Sequence, residues 1–333
     1  MLGFNEEEFL EQSTSTVALR PQIEQLVRTL ESRGYENIYF IGAGGTYANV
    51  LPYERFFQTR STFPARAVIG KEFILSSDPS FGKKSVAVFA SVSGTTEDIL
   101  ESIEFAKDKG ALTVGFTGYP ESPFASAVDE VFVSAPKAWP FDVQLLLFSA
   151  AFLEQRGEFP AYDRLVRDLE ALPAALLEVT RQADPVGEAF AQKHAETDYH
   201  FLVGTGNLWG FTYLYSMCIL EEMQWLRTTR VHGAEFFHGS LELIEKDTSL
   251  LLFLGEDETR PLMDRVVSFA ETYSDDVTLI DTRDYALPGV SDEFRGLLSP
   301  LVADAVVDRF SKHLAQARDH SLDLRRYYRV VAY

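Results

Sequence analysis

Ser85-Val-Ala-Val-Phe-Ala-Ser-Val-Ser-Gly-Thr-Thr-Glu-Asp-Ile-Leu100 passes from a small, apolar run through a loop crowded with hydroxyls into an amphipathic pattern. A short apolar run bounded by turn residues reads as a strand buried on both faces, the kind that parallel sheets contain. A strand is expected at Ser85–Ala90 and a helix at Thr96–Lys109, with the loop Ser91–Thr96 between them. A helix N-terminus carries open N–H groups and partial positive charge, so it attracts an anion without any lysine. Ser91, Ser93, Thr95 and Thr96 add donors, and Gly94 allows close backbone approach. One hydroxyl would suffice as an N-cap. Four within six residues, at the end of a buried strand, favour a phosphate seat instead.

The same alternation extends outward in both directions. Strands are expected at Asn37–Gly42, Ala65–Ile69, Thr113–Thr117 and Glu130–Ser134, with helices at Ala18–Arg33, Tyr47–Gln58 and Asp142–Arg156. A polar helical stretch, Ala161–His194, leads to further strands at Tyr199–Val203, Ser249–Leu254 and Val277–Ile280 and helices at Leu208–Arg227, Glu258–Glu271 and Pro300–Ala317. Phe40-Ile-Gly-Ala-Gly-Gly-Thr46 and Phe201-Leu-Val-Gly-Thr-Gly-Asn207 are matching strand-to-turn units, so the chain reads as a duplicated α/β element with domains 1–160 and 161–333. Each domain is expected to be a parallel sheet with helices on both faces, with ligands at the carboxyl ends of its strands. The counterpart of the hydroxyl loop, Gly255-Glu-Asp-Glu-Thr-Arg260, carries three carboxylates and should repel a phosphate.

Composition bounds the function. The net charge of −20 and the lack of a basic stripe argue against nucleic acid. The apolar runs are strand-length, far short of a membrane span, and Met1-Leu-Gly-Phe-Asn-Glu-Glu-Glu8 is acidic where a signal peptide would be basic. The single Cys218 excludes an internal disulfide. A cytoplasmic location is expected.

Gly42-Ala-Gly-Gly-Thr46 approaches a dinucleotide fingerprint, but the third glycine is replaced by Tyr47, and Gly70 follows Ala67-Val-Ile69 where an acidic residue would stand. Gly44, Gly45 and Thr46 are better read as a second wall of a sugar site. The densest ionisable cluster lies from Glu221 to Glu245 and includes His232-Gly-Ala-Glu-Phe-Phe-His-Gly-Ser-Leu-Glu242. It lacks the His-Glu-x-x-His or paired-cysteine spacing of a metal site. A carboxylate with a histidine beside a phosphosugar can move a proton between adjacent carbons. The residues alone leave Glu221 and Glu222 equivalent.

On these motifs the chain resembles the sugar isomerase (SIS) domain family, in particular its double-domain members and the bacterial fructosamine-6-phosphate deglycases. Ala43-Gly-Gly-Thr46 and Ser91–Thr96 are the general marks. Gly70-Lys-Glu-Phe73, Ala234–Glu242, Phe253–Arg260 and the tail Asp319–Tyr328 are similar to the deglycase branch. The resemblance implies two tandem SIS domains, each a flavodoxin-like three-layer α/β/α sandwich. It implies Thr46, Ser91, Ser93 and Thr96 as phosphate ligands, with Gly44, Gly45, Gly94 and Glu235 in support. The family's base lies sixteen residues before the histidine of its Glu-x-x-His-Gly motif, which selects Glu222 for His238. That histidine serves a neighbouring subunit in the family, implying a homodimer with shared sites, and Tyr327 and Tyr328 would cover the substrate. The implied reaction splits a 6-phosphorylated Amadori compound into glucose 6-phosphate and an amine, with no metal or other cofactor. An aldose–ketose isomerase, an aminosugar-phosphate deaminase and a non-catalytic phosphosugar sensor are the alternatives. Phe237 and Ser240 depart from residues frequent in relatives (a basic residue and a proline) at positions that could touch the leaving amine.

Overall fold

A strand with every residue buried organises the first half of the chain. The structure, a computed structural model, describes residues 1–136 and 141–332. It divides into two units, Glu6–Pro173 and Ala174–Tyr333 with Met1–Asn5. The N-terminal unit holds five parallel strands: β1 (Asn37–Gly42), β2 (Ala65–Ile69), β3 (Ser85–Ser91), β4 (Leu112–Thr117) and β5 (Glu130–Val133), in the order β2-β1-β3-β4-β5. Its helices are α1 (Glu6–Val17), α2 (Arg20–Arg33), α3 (Gly45–Gln58), α4 (Gly70–Ser76), α5 (Glu97–Asp108), α6 (Pro123–Ala127) and α7 (Asp142–Gln155). β3 is central and wholly buried. Its alternate residues Ala87 and Phe89 join Tyr39 and Ile41 of β1 against Ile99, Ile103 and Ala106 of α5. On the opposite face Phe40 meets Phe57 of α3, which meets Phe152 of α7.

α8 (Tyr162–His194) carries the chain into the C-terminal unit, and the division between the units, Pro173/Ala174, falls inside this helix. The second sheet, all parallel, comprises β6 (Tyr199–Gly204), β7 (Arg227–His232), β8 (Leu250–Leu254) and β9 (Val277–Asp281) in the order β7-β6-β8-β9. It repeats the first four strands of the N-terminal order. α9 (Asn207–Leu214) continues into a π-helical segment, Tyr215–Glu221, and α10 (Arg260–Tyr273) and α11 (Asp292–Ala317) complete the unit. Phe201, Val203, Leu250 and Leu252 pack on Met263, Val266 and Ala270 of α10.

Several elements differ from the expectations above. β7 begins at the residue where the pattern predicts the end of a helix; it is an edge strand in which only Val231 is buried, so no apolar alternation announces it. α1 buries Ser13 and Thr16, whose hydroxyls bond back to the Phe9 and Gln12 carbonyls, and it shows no apolar stripe. α11 starts eight residues before Pro300. That proline has no N–H to offer the Gly296 carbonyl, which instead accepts a hydrogen bond from Asn207 Nδ2 at 2.8 Å. Among the described residues no helix is long and apolar enough to cross a membrane.

Candidate active site

In the N-terminal unit the strand order reverses between β1 and β3, and the loops after these two paired strands flank that switch point. Ser91 ends β3, and its buried Oγ accepts the Gly94 N–H at 3.0 Å, closing the loop. Gly94 has φ +65°, and a Cβ there would stand 2.3 Å from Ser122, so only glycine fits. Its carbonyl accepts the Phe124 N–H at 3.1 Å, which fixes the loop against α6. Ser93 Oγ accepts from the Thr95 N–H and hydroxyl at 3.4 and 3.2 Å. Thr96 occupies the N-cap position of α5 without capping it through its side chain. Thr46 Oγ1 bonds within its own turn, accepting from Ala43 N–H and donating to Ala43 O, each at 3.0 Å. Ser91, Ser93, Gly94 and Thr96 thus share one loop, with Gly44, Gly45 and Thr46 on the loop of the neighbouring strand.

The equivalent place in the C-terminal unit is already filled. Gly206 (φ 55°, ψ −129°) repeats the backbone of Gly44 (φ 57°, ψ −124°) before its helix. There the Asn207 N–H donates to Asp257 Oδ2 at 2.7 Å, while Asp257 Oδ1 accepts the Thr259 N–H at 2.8 Å. The protein's own carboxylate takes the helix-terminal donors that an external anion would need. Glu256 turns away, held by both Arg295 Nε and Nη2 at 2.8 Å.

The π-helical segment ends at Glu221, and the structure separates the two adjacent carboxylates that the residues alone left equivalent. Glu221 accepts from the Thr228 hydroxyl and, at 3.1 Å, from Arg230 Nη1, so it is committed to β7. Glu222 instead forms an ion pair at 3.0 Å with Arg325 Nη2 of the tail, with about a quarter of its side chain exposed. Burial pushes the Glu222 carboxyl above its ordinary range, and the Arg325 and Arg329 charges oppose that rise. A π-helical segment adds a residue to the helical ladder and rotates the turn beyond it, which suits a turn that must aim one of two neighbouring acids.

The tail grips this turn at further points. His320 Nε2 lies 3.1 Å from the Met223 carbonyl, and its ring meets Trp225 edge-on at 4.5 Å. The Arg326 guanidinium lies 4.1 Å over the Trp225 ring. Trp225 has φ +58°, a left-handed conformation costly for a bulky side chain. Tyr327 and Tyr328 lie on the tail surface, 69% and 40% exposed.

His238 ends a short 3-10 turn, Phe236–His238, and is exposed, as is Glu235, whose carbonyl accepts the His238 N–H at 2.9 Å. Phe237 is held by Phe236, Phe269 and the Arg265 guanidinium. Among the described residues no hydrogen bond or ion pair joins His238 to Glu222, and no group of three His, Cys, Asp or Glu side chains is placed to hold a metal. Sequence reasoning missed Arg325, Trp225 and Asp257 as parts of these arrangements. Arg325-Arg326, a basic pair in an acidic chain, was the one signal available for the first.

Comparison with known proteins places this architecture. Residues 33–153 match the SIS domain model. The chain is 29% identical to fructosamine deglycase FrlB of Bacillus subtilis, over 96% of this chain and the whole of that protein. It is 26% identical to fructoselysine 6-phosphate deglycase of Escherichia coli O157:H7, over 92% of this chain and 90% of that one. A solved Bacillus subtilis structure described as a phosphosugar isomerase superimposes with a TM-score of 0.89 at 28% identity, covering 96% of this chain and all of that one.

Proposed function

We infer that the chain, whose residues 33–153 match the SIS domain model and whose second sheet repeats the order of the first four strands, is a fructosamine-6-phosphate deglycase. The observation that carries this reading is the Glu222 carboxylate, three-quarters removed from water at the end of a π-helical segment and held by the tail. A carboxylate whose basicity is raised by burial is suited to taking a proton from a carbon acid near neutral pH.

In this reading Ser91, Ser93 and Thr96, with Thr46 in support, hold the phosphate of an open-chain ketosamine 6-phosphate. The electrostatics of a helix N-terminus and hydroxyl donors serve where the chain's overall charge would repel the ligand. Glu222 removes a proton from C1, and the C1–H electron pair becomes the C1–C2 double bond of an enaminol as the C2 oxygen gains a proton. Reprotonation at C2, with the N–H proton lost and the C2 hydroxyl kept, yields an aldimine between C1 and the amine nitrogen. Water adds to C1 and the C1–N bond breaks, giving glucose 6-phosphate and the free amine. His238 is the acid/base partner. Its exposure on its own chain, without a bond to Glu222, supports its serving a second copy of the protein in a homodimer.

The test is a panel of fructose–amino acid 6-phosphates assayed for glucose 6-phosphate and free amine in equal amounts. Interconversion of ketose and aldose phosphates, with no amine released from any member, would replace the deglycase with an isomerase. The loop has its own test. Ser93→Ala combined with Thr96→Ala is expected to raise KM for the phosphorylated substrate at least tenfold while changing kcat less, since two hydrogen bonds to a charged group are lost, each worth about 1.5–3 kcal/mol. An unchanged KM would reduce the loop to a helix start.

A further inference from the structure

The base of the proposed reaction is tied to a residue far away in sequence. We propose that Arg325 is a positioning residue for Glu222, its guanidinium aiming the carboxylate and keeping it charged in the free enzyme. This rests on the reading of Glu222 as the base.

The two edges of the guanidinium do different work. Nη1 donates to the carbonyls of Leu322 and Leu324 at 2.7 and 2.8 Å, which fixes the group within the tail. Nη2 is the atom that meets Glu222. An arginine so anchored has spent its conformational freedom before it meets the carboxylate, and a planar fork holds an oxygen in one place better than an ammonium does. The pair is four-fifths to three-quarters withdrawn from solvent, so it is screened less than a surface ion pair. The tail itself is clasped to the same turn by His320 at Met223 and Trp225 and by Arg326 over Trp225, so Arg325 is delivered by a docked segment.

Other charges also bear on Glu222. Glu221, its neighbour, is held by Thr228 and Arg230. The Arg329 charge also opposes the rise of the Glu222 carboxyl. Burial drives the Glu222 carboxyl towards its neutral form, and Arg325 is the largest opposing influence. A neutral carboxylic acid cannot accept the C1 proton, so the ion pair extends the range of pH over which the free enzyme is competent.

The acid limb of kcat/KM against pH reports that ionisation in the free enzyme. In Arg325→Gln the limb is expected to move up by about one pH unit, so that kcat/KM below the limb falls about tenfold further than it does above it. Arg325→Lys, which keeps the charge, is expected to hold the limb within about 0.3 unit of wild type even where the lost carbonyl bonds lower the melting temperature. A uniform fall of kcat/KM at every pH in Arg325→Gln, with the limb unmoved, would mean that Arg325 only shapes the tail and would overturn the proposal. If the Gln variant does not fold, the Lys variant decides alone, and a limb displaced by a full unit would overturn it. Glu222→Gln measured alongside separates the two readings. An inactive Glu222→Gln with an unmoved Arg325→Gln limb removes only the positioning role, whereas an active Glu222→Gln removes the base itself.

Discussion

Glu222→Gln is expected to lower kcat for a fructosamine 6-phosphate by about 10³-fold or more while leaving the Kd for a phosphosugar within about threefold of wild type. Glutamine keeps the volume of the side chain and an oxygen that can accept from Arg325, so the turn and its clasp to the tail should persist. What is lost is the capacity to take a proton, which general-base catalysis supplies at about 10²–10⁴-fold and which the carbon acid at C1 cannot do without. Glu221→Gln is the control. Its carboxylate is spent on Thr228 and Arg230, so the expected penalty falls on stability, with kcat per folded molecule within about tenfold of wild type. Rapid phosphosugar turnover by Glu222→Gln would end the assignment of the base, and a Kd that rose with the loss of kcat would point to a binding role instead.

The second large effect lies in the core. Between pH 6.5 and 5 the fold is expected to lose about 1–2 kcal/mol through His200 alone. His200 is fully buried on β6, with Nδ1 2.9 Å from Ser249 Oγ and Nε2 without a partner. Desolvation, helped by the nearby His194, lowers its pKa to about 3. The folded value lies below the unfolded value of about 6.5. The unfolded chain therefore binds the extra proton in this window, and the contribution, complete above pH 6.5, is lost as pH falls towards 3. His194 is lowered in the same sense, its ring 5.3 Å from that of His200. The depressed carboxylates Asp78, Asp129, Asp184 and Asp281 act in that direction only below their unfolded values near 4. Asp142, raised by burial to about 6, takes up its proton within the window and opposes the loss, so the His200 share is read as a difference between wild type and variant. Urea unfolding at pH 6.5 and 5 measures the slope. His200→Gln, which keeps a hydrogen-bonding group but not the titration, should flatten it by that 1–2 kcal/mol; equal slopes would show that His200 is reached by water and protonates in place.

The two halves differ in a way that bears on the proposed anion seat. Both switch points begin with a glycine of nearly the same φ and ψ, so both present a helix N-terminus in the same manner. In the C-terminal unit Asp257 takes those donors; in the N-terminal unit the loop supplies Ser91, Ser93 and Thr96 and no carboxylate until Glu97. Counting charges in the sequence attributes the difference to repulsion by three carboxylates. The structure attributes it to one carboxylate seated on the donors, while Glu256 is neutralised by Arg295.

The amino-acid sequence by itself determined the parallel α/β class, the duplication and the hydroxyl loop, because each is written in local pattern. Buried strands are continuous apolar runs, turns need glycine, and a helix start needs its donors answered nearby. It left β7 unread, since an edge strand with one buried residue has no periodicity to show. It left Glu221 and Glu222 equivalent on their own chemistry, since adjacent acids differ only in what they face. That choice required the π-helical segment, which turns one carboxylate to β7, and a tail some hundred residues later that brings Arg325 to the other. Hydrogen bonds and ion pairs act over a few ångströms of space whatever the separation in sequence, so the partner that tunes an acid is fixed only when the chain has folded.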